Sequence, residues 1–167
     1  MYTLAPETAD DLWEVEALFD SCFAPGRTAL SSYRLREGVA AVADLSLVAR
    51  DDLGILAGAI RFWPVCVGGA GALLLGPVAA HPTRQGEGLG ALLIQTTLER
   101  AAQARMHGTP RWPRVMLVGD APYYGRYGFA RLQGVVMPPP TNPERVLGRA
   151  LVAGAWEGIT GEVTPAR

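Results

Sequence analysis

The chain has 167 residues, of which 49% are hydrophobic and 19% are charged, so we expect one domain over 1–167 with its own core. Fifteen basic and sixteen acidic residues give a net charge of −1, which disfavours nucleic acid as a partner because phosphate-backbone binding needs a basic surface. All basic residues are arginines. The lack of lysine excludes P-loop nucleotide binding and Schiff-base catalysis.

Three features indicate where the protein is located and whether it binds a metal: its cysteines, its histidines and the apolar run 62–80. Cys22 and Cys66 lie far apart, and His81 and His107 have no neighbouring ligand at metal spacing, so we expect no metal site. Glycine and proline interrupt the run, which is typical of a buried hairpin rather than of a membrane-spanning helix. The N-terminus lacks signal-peptide features. We therefore expect a cytoplasmic protein with reduced cysteines and no membrane association.

Hydrophobic periodicity predicts short strands and helices in the first half of the chain. They are a strand over 2–5, a helix from Leu12 to near Pro25, a weaker helix over 28–36, and strands over 44–50, 55–65 and 72–80. Asp51–Gly54 joins two of these strands as a hairpin. The strand over 72–80 is almost continuously apolar, as expected of a strand that is buried on both faces.

The second half adds one long helix and several short elements. They are a helix from Leu89 that closes at His107-Gly108, a strand over 114–118, a short helix from the Asp120 cap to Tyr127, strands over 129–136 and 146–153 around a proline-rich loop at 137–143, and a loose end from Gly154. This order of elements predicts an α/β or α+β domain with a single sheet.

The segment Gln85-Gly86-Glu87-Gly88-Leu89-Gly90 lies between a predicted buried strand and a predicted helix. The first N–H groups of a helix have no intrahelical partner, and the helix dipole is positive there. Glycines let phosphate oxygens approach these N–H groups and permit positive φ. The segment therefore predicts a phosphate-binding turn, although its glycines could serve the backbone alone. Their order fits a dinucleotide fold poorly.

A second motif, Ala121–Phe129, carries Tyr123, Tyr124 and Tyr127 in and after the predicted short helix. A tyrosine hydroxyl, whose ordinary pKa is about 10, is able to protonate an anionic leaving group. Aromatic side chains beside glycine are also typical of buried turns. Taken alone, this motif favours packing over chemistry.

Together, the strand over 74–82, the glycine turn with its helix, and the later segment 123–129 resemble the GNAT family of acetyl-CoA-dependent N-acetyltransferases. The segment Leu117–Tyr124 is more specifically similar to the YhbS-type branch of that family. The motifs cover 73–129, and the element order extends the resemblance to nearly the whole chain. The resemblance implies a mixed, mostly antiparallel central sheet that is splayed at the cofactor site and flanked by helices.

The resemblance also implies which residues bind acetyl-CoA. Backbone groups of Val78, Ala79 and Ala80 would hold the pantetheine arm and the acetyl carbonyl. The pyrophosphate would bind to the turn and the helix start, formed by Gln85, Gly86, Glu87, Gly88, Leu89, Gly90 and Ala91. Arg84 would either contact a phosphate or remain a solvated surface residue.

One residue matches the general acid of the family. Tyr124 lies four residues before the glycine of the Gly-Phe pair, the position from which this family protonates the departing CoA thiolate. Tyr123 is the second candidate, and Tyr127 is less favoured. Neither cysteine belongs to a motif for an acyl-enzyme route, so the amine would attack the thioester directly.

The general base is unassigned. Many relatives carry a carboxylate on or beside the central strand, whereas Leu73–Ala80 has no ionisable group. His81 and Asp120 are candidates by position only, since a strand end and a helix cap are their simpler roles.

The predicted function is transfer of an acetyl group from acetyl-CoA directly to a primary amine of a small molecule, peptide or protein, by a monomer or a homodimer. Two alternatives remain: a GNAT-like domain that binds acyl-CoA as a sensor without turnover, and an unrelated domain that binds a phosphate ligand. The identity of the acceptor is not encoded in a motif. Its pocket is expected from 22–36 and the loop 137–143.

Overall fold

The computed structural model describes residues 1–23, 27 and 30–166. Its helices and strands alternate along the chain much as the periodicity predicts. In order they are β1 (Thr3–Pro6), α1 (Leu12–Cys22), α2 (Ser31–Arg34), β2 (Leu47–Arg50), β3 (Leu56–Val67), β4 (Ala70–Ala80), α3 (Leu89–Gln103), β5 (Arg105–Met106), β6 (Thr109–Pro110), β7 (Arg114–Val118), α4 (Ala121–Gly125), β8 (Ala130–Arg131), β9 (Val135–Val136), β10 (Val146–Ala150) and β11 (Gly161–Pro165).

The central sheet has the strand order β1-β2-β3-β4-β7-β10-β8, with β11 beside the far end of β3. Neighbouring strands are antiparallel along this order except for β4 and β7, which are parallel. Within the long β3–β4 hairpin, Ile60 is opposite Val78 and Phe62 is opposite Leu75. Strand β4 therefore carries one extra residue at this point, which is a β-bulge.

The sheet is splayed between β4 and β7. These strands pair only at Leu73 and Leu74, opposite Val115 and Met116. Towards their C-terminal ends, β4 continues beside β3 and β7 continues beside β10. From residue 75 onward, the edge of β4 that faces β7 has no strand partner. The predicted fold class, a mostly antiparallel sheet with a splay, is confirmed.

Helices cover both faces of the sheet. Alternate residues of a strand point to opposite faces, so Leu47 of β2 packs in the cluster that contains Leu93 of α3. The next residue, Val48, packs with Val15 and Phe19 of α1. The splay therefore lies between two helical layers.

Helix α3 ends earlier than predicted. It stops at Gln103, and residues 105–110 form the β5–β6 hairpin. The turn residues His107 and Gly108 have φ values of 52° and 81°, as a tight two-residue hairpin turn requires. The interpretation of Gly108 as the end of the helix is wrong, because its positive φ belongs to the turn of the β5–β6 hairpin.

The C-terminal part contains more strands than the sequence predicted. The predicted strand 129–136 is divided into β8 and β9, with Gly134 at a φ of 71° before β9. The end from Gly154 is not loose, because β11 pairs with β3 and with β9. Val163 of β11 is buried among residues of β3 and β4, and this burial holds the segment on the sheet.

None of the helices in the described ranges is long and apolar enough to cross a bilayer. Among the same residues, no His, Cys, Asp or Glu side chains are grouped in threes or more as metal ligands would be.

Candidate active site

A cleft opens where β4 and β7 separate, with a volume of about 150 Å³. Leu74–Val78 of β4 and Leu117–Val118 of β7 form its walls, and Tyr124 of α4 lies between them. Side chains from the region around α2, including Tyr33 and Arg36, form the remaining side. The pocket predicted from 22–36 therefore coincides with this cleft as far as those residues are described.

The loop 137–143 does not supply any of the described lining residues of the cleft. Instead, the loop contacts α2. The Thr141 hydroxyl lies 2.6 Å from the Ser31 hydroxyl, and the carbonyl of Pro139 accepts a hydrogen bond from Arg34 at 2.9 Å. The loop thus positions residues of the cleft without entering it.

The backbone N–H and C=O groups of successive β4 residues point alternately towards β3 and towards the free edge. The His81 N–H donates to the Ala57 carbonyl of β3 at 2.7 Å, and alternate residues share a side, so the backbone groups of Ala79 also face β3. Those of Val78 and Ala80 face away from β3. In agreement, the Ala80 carbonyl accepts a hydrogen bond from the Cys22 thiol at 3.2 Å. Of the three predicted strand contacts, Val78 has an N–H and a C=O group and Ala80 has an N–H group that face away from β3, whereas the Ala80 carbonyl is already bonded to Cys22.

The glycine turn after β4 presents unpartnered N–H groups. Within the described residues, no N–H group from Gln85 to Ala91 donates to the chain, and the first bond of α3 runs from Leu92 to the Gly88 carbonyl. Gly86 and Gly88 have φ values of 88° and 78°, which side-chain-bearing residues rarely adopt. A Cβ on either glycine would meet no atom within 4 Å. The turn is therefore an open, positively polarised cradle for an anion.

Two charged side chains beside the turn have other partners. The Arg84 guanidinium forms an ion pair with Asp51 at 2.5 Å, and the Glu87 carboxylate accepts a hydrogen bond from the Tyr2 hydroxyl. Backbone bonds from Ile55 and the contact with Arg84 lower the pKa of Asp51. The sequence predicts Arg84 either as a phosphate contact or as a surface residue, and this ion pair fits the second role.

Tyr124 is the tyrosine of α4 that lines the cleft. Its ring packs at 6.0 Å from the Phe129 ring and against Gly119, where an added Cβ would lie 2.5 Å from the Tyr124 ring. Burial, with a smaller effect of Tyr123, raises the pKa of Tyr124 to about 12. The hydroxyl is therefore protonated at neutral pH and is able to donate a proton. Sequence analysis missed Gly119, whose position directly before the Asp120 cap was its only signal.

The other two tyrosines face away from the cleft. Their hydroxyls lie 3.1 Å apart, so Tyr123 and Tyr127 form a hydrogen-bonded pair. A Cβ on Gly90 would lie 3.7 Å from the Tyr123 hydroxyl, which places that hydroxyl beside the start of α3. Burial raises the pKa of Tyr127 to about 12. Both side chains therefore support the turn rather than the cleft.

Neither residue considered as a base by position lines the cleft. The His81 ring accepts a hydrogen bond from the Thr83 N–H at 3.2 Å and lies 2.8 Å from its hydroxyl. The Asp120 carboxylate accepts a hydrogen bond from the Tyr123 N–H at 3.2 Å and caps α4. Both residues thus have the local structural roles that the sequence favoured.

Two buried arginines beside the cleft are neutralised by carboxylates. Arg61 of β3 forms ion pairs with Glu7 at 2.9 Å and with Glu16 at 2.8 Å. Arg27 forms ion pairs with Asp20 at 2.9 Å and with the same Glu16 at 3.2 Å. The carboxylates near the cleft are therefore committed to these two guanidinium groups.

Arg36 differs from these two arginines, because none of the described carboxylates is paired with it. Its guanidinium lies 4.0 Å from the centre of the Tyr33 ring and 5.3 Å from that of Trp63, but its buried Nε and Nη1 have no hydrogen-bond partner among the described residues. Burial, together with the charges of Arg61 and Arg27, lowers its pKa to about 10, so it remains protonated at neutral pH. Sequence analysis did not identify Arg36, because an arginine after a weak helix carries no motif.

Comparison with known proteins identifies the family. Residues 43–131, more than half of the chain, match the family model of the acetyltransferase (GNAT) domain. The chain belongs to the GNAT family. No curated protein sequence matches it significantly.

Solved GNAT structures share the whole fold. The structure is similar to the N-acetyltransferase YhbS from Escherichia coli in complex with CoA, with 26% identity, a TM-score of 0.79 and coverage of 99% of this chain and 89% of that one. A GNAT acetyltransferase from Brucella melitensis in complex with acetyl-CoA has 27% identity, a TM-score of 0.71 and coverage of 99% and 96%. The loading GNATL domain of CurA from Lyngbya majuscula shares the fold at 14% identity, with a TM-score of 0.65 and coverage of 90% and 98%. The resemblance to GNAT proteins and to YhbS is confirmed, whereas the roles of individual residues stay predictions.

Proposed function

We propose that this GNAT protein transfers an acetyl group from acetyl-CoA directly to a primary amine in the cleft between β4 and β7. One observation carries the proposal: the free edge of β4 runs from the cleft to a turn whose N–H groups have no partner in the described ranges. A long ligand with an acyl group at one end and phosphates at the other fits this arrangement. The acceptor would be a small molecule or a peptide.

The residues fit acetyl-CoA in two places. Val78 offers an N–H and a C=O group, and Ala80 an N–H group, to an amide-bearing arm as a neighbouring strand would. The N–H groups over 85–91 offer donors to a pyrophosphate. The Escherichia coli and Brucella relatives were crystallised with CoA and acetyl-CoA, which supports the same ligand here. When bound, acetyl-CoA supplies an activated thioester.

Tyr124 is the proposed general acid. It lines the cleft, and its hydroxyl is protonated at neutral pH. Donation to the departing thiolate would prevent the reverse attack of that thiolate on the product. Most of the remaining rate enhancement would come from holding the two reactants side by side.

The acceptor amine must lose a proton, and the described lining of the cleft contains no carboxylate or imidazole. We propose that water takes this proton. The same observation favours a second candidate, a domain that binds acyl-CoA without turnover. A binding domain needs the β4 edge and the turn but has no need of Tyr124.

Thiol release from acetyl-CoA, measured with and without a panel of primary amines, tests the proposal. We expect release that depends on an amine, with the acetylated amine detected by mass spectrometry. Calorimetric binding of CoA without release for any amine would favour the binding domain. Absence of both binding and release would contradict both candidates.

A further inference from the structure

The cleft is lined by a positively charged side chain that has no role in the proposed acetyl transfer. Arg36 lines the cleft, and a Cβ on Gly76 of β4 would lie 3.6 Å from the Arg36 Nη2. Within the part of the chain that the structure describes, the buried Nε and Nη1 of the same guanidinium have no hydrogen-bond partner. A buried donor without a partner is costly, and a charged one more so, so this group is suited to a ligand that supplies acceptors.

Stacking does not satisfy these donors. The Arg36 guanidinium carbon lies 4.0 Å from the centre of the Tyr33 ring and 5.3 Å from that of Trp63, and these contacts hold the side chain in place. A ring contact does not supply the oxygen acceptor of a conventional hydrogen bond. Nη2, which lies beside Gly76, is the guanidinium nitrogen nearest the cleft wall.

Among the described residues, no carboxylate forms an ion pair with Arg36. Glu16 and Asp20 pair with Arg27, and Glu7 and Glu16 pair with Arg61. These three carboxylates are bonded to Arg27 and Arg61, and Arg36 is the arginine at the cleft that has no paired carboxylate among the described residues. Its positive charge is complementary to an anion.

The phosphates of acetyl-CoA are not the anion that this position favours. In the proposed function, they bind at residues 85–91. Gly76 and Gln85 are separated by the last part of β4 and the following turn, and the strand alone from Gly76 to Ala80 spans roughly 13 Å at about 3.3 Å per residue. Arg36 lies beside Gly76, at the other end of the free edge from the turn.

We propose that the acceptor amine carries a carboxylate, and that Arg36 binds this carboxylate in the cleft. The inference rests on the proposed acetyl transfer and specifies its substrate class. Guanidinium and carboxylate match as a planar, charge-assisted pair. The acceptor would be an amino acid or a similar small amino acid-like compound, whose amine is then directed towards the thioester.

Binding without turnover is tested first. The Arg36 side-chain Nε–H resonance is followed by NMR in CoA-loaded protein, and it is assigned by its disappearance in Arg36→Lys. The probes are N-acetylglycine and N-acetyl-β-alanine, each compared with its carboxamide. We expect the two carboxylates to shift this resonance and the carboxamides not to. No shift with either carboxylate, or a shift with CoA alone that the carboxylates do not change, would overturn the proposal.

Turnover is tested with glycine, β-alanine, 4-aminobutyrate and lysine against their carboxamides. We expect kcat/KM to favour the acid at least tenfold in the best pair, since charge-assisted hydrogen bonds are the strong ones. Arg36→Gln should abolish the preference mainly through KM, and Arg36→Lys should restore part of it. Arg100→Gln, the matched loss of an exposed charge on α3, should retain it. Equal rates for acid and amide would overturn the proposal.

The two proposals fail in different ways. If no amine releases thiol, acetyl transfer fails, while the Arg36 resonance still decides whether the cleft binds carboxylates. The Arg36→Gln protein should melt at or above the temperature of the parent, because it loses a buried, unpaired charge. A clearly lower melting temperature would show that Arg36 is structural and would overturn its assignment to substrate.

Discussion

Replacing Tyr124 by phenylalanine should slow catalysis about a hundredfold and leave the fold unchanged. Among the described residues, the Tyr124 hydroxyl has no hydrogen-bond partner, whereas its ring packs on Phe129 and Gly119. The ring contacts persist in the variant, so the free energy of unfolding should change by less than about 0.5 kcal/mol. A general acid contributes about a hundredfold in rate, which corresponds to about 2.7 kcal/mol of activation free energy.

The assay is amine-dependent thiol release at saturating acetyl-CoA, so that a lost binding contact is not mistaken for lost chemistry. The matched controls are Tyr123→Phe and Tyr127→Phe. Each control breaks the 3.1 Å bond between the two hydroxyls and should cost about 1 kcal/mol of stability with little change in kcat. Calorimetry should give the same CoA affinity for Tyr124→Phe and for the parent.

Two results would refute this reasoning. If Tyr124→Phe turns over like the parent and Tyr123→Phe does not, the spacing taken from the family identifies the wrong tyrosine. If all three variants turn over like the parent, protonation of the thiolate does not depend on this cluster.

Three further predictions concern the cofactor site and pH. Gly90→Val should raise the Kd of CoA, measured by calorimetry, at least tenfold, because its side chain would cover the N–H groups at the start of α3. Gly71→Val near the β3–β4 turn should leave this Kd unchanged, and equal Kd values for the two variants would contradict the binding of phosphate at the glycine turn. CoA should slow the alkylation of Cys22, whose thiol bonds to Ala80, but not that of Cys66 near the same distant turn; equal effects would place CoA elsewhere. Because the pKa of Tyr124 is raised to about 12, its acid form persists as pH rises, so kcat should not fall up to about pH 10, where an ordinary tyrosine is half deprotonated; a fall centred there would contradict its role.

The sequence predicted the parts of the fold that local patterns specify. The strand 114–118 and the β2–β3 and β3–β4 hairpins follow from apolar runs bounded by turn residues. The cap of α4 follows from Asp120, whose carboxylate binds the Tyr123 N–H. These features depend on neighbouring residues, and a single sequence contains that information.

Long-range packing explains the errors. Strand β11 forms because Val163 is buried against β3, which lies far away in the sequence, and a polar, glycine-containing tail gives no local signal of that contact. Arg36 was missed for the same reason. Its significance depends on Glu7, Glu16 and Asp20 being paired with other arginines, which is visible only after folding.

Amide hydrogen exchange with and without CoA tests the central claim most directly. In the free protein, the N–H groups over 85–91 have no partner in the described chain and should exchange rapidly. On addition of saturating CoA, we predict at least tenfold slower exchange for most of them and for Val78 and Ala80. Saturating CoA that leaves these amides unprotected and protects a different segment would contradict the assignment of the cleft and turn to acetyl-CoA.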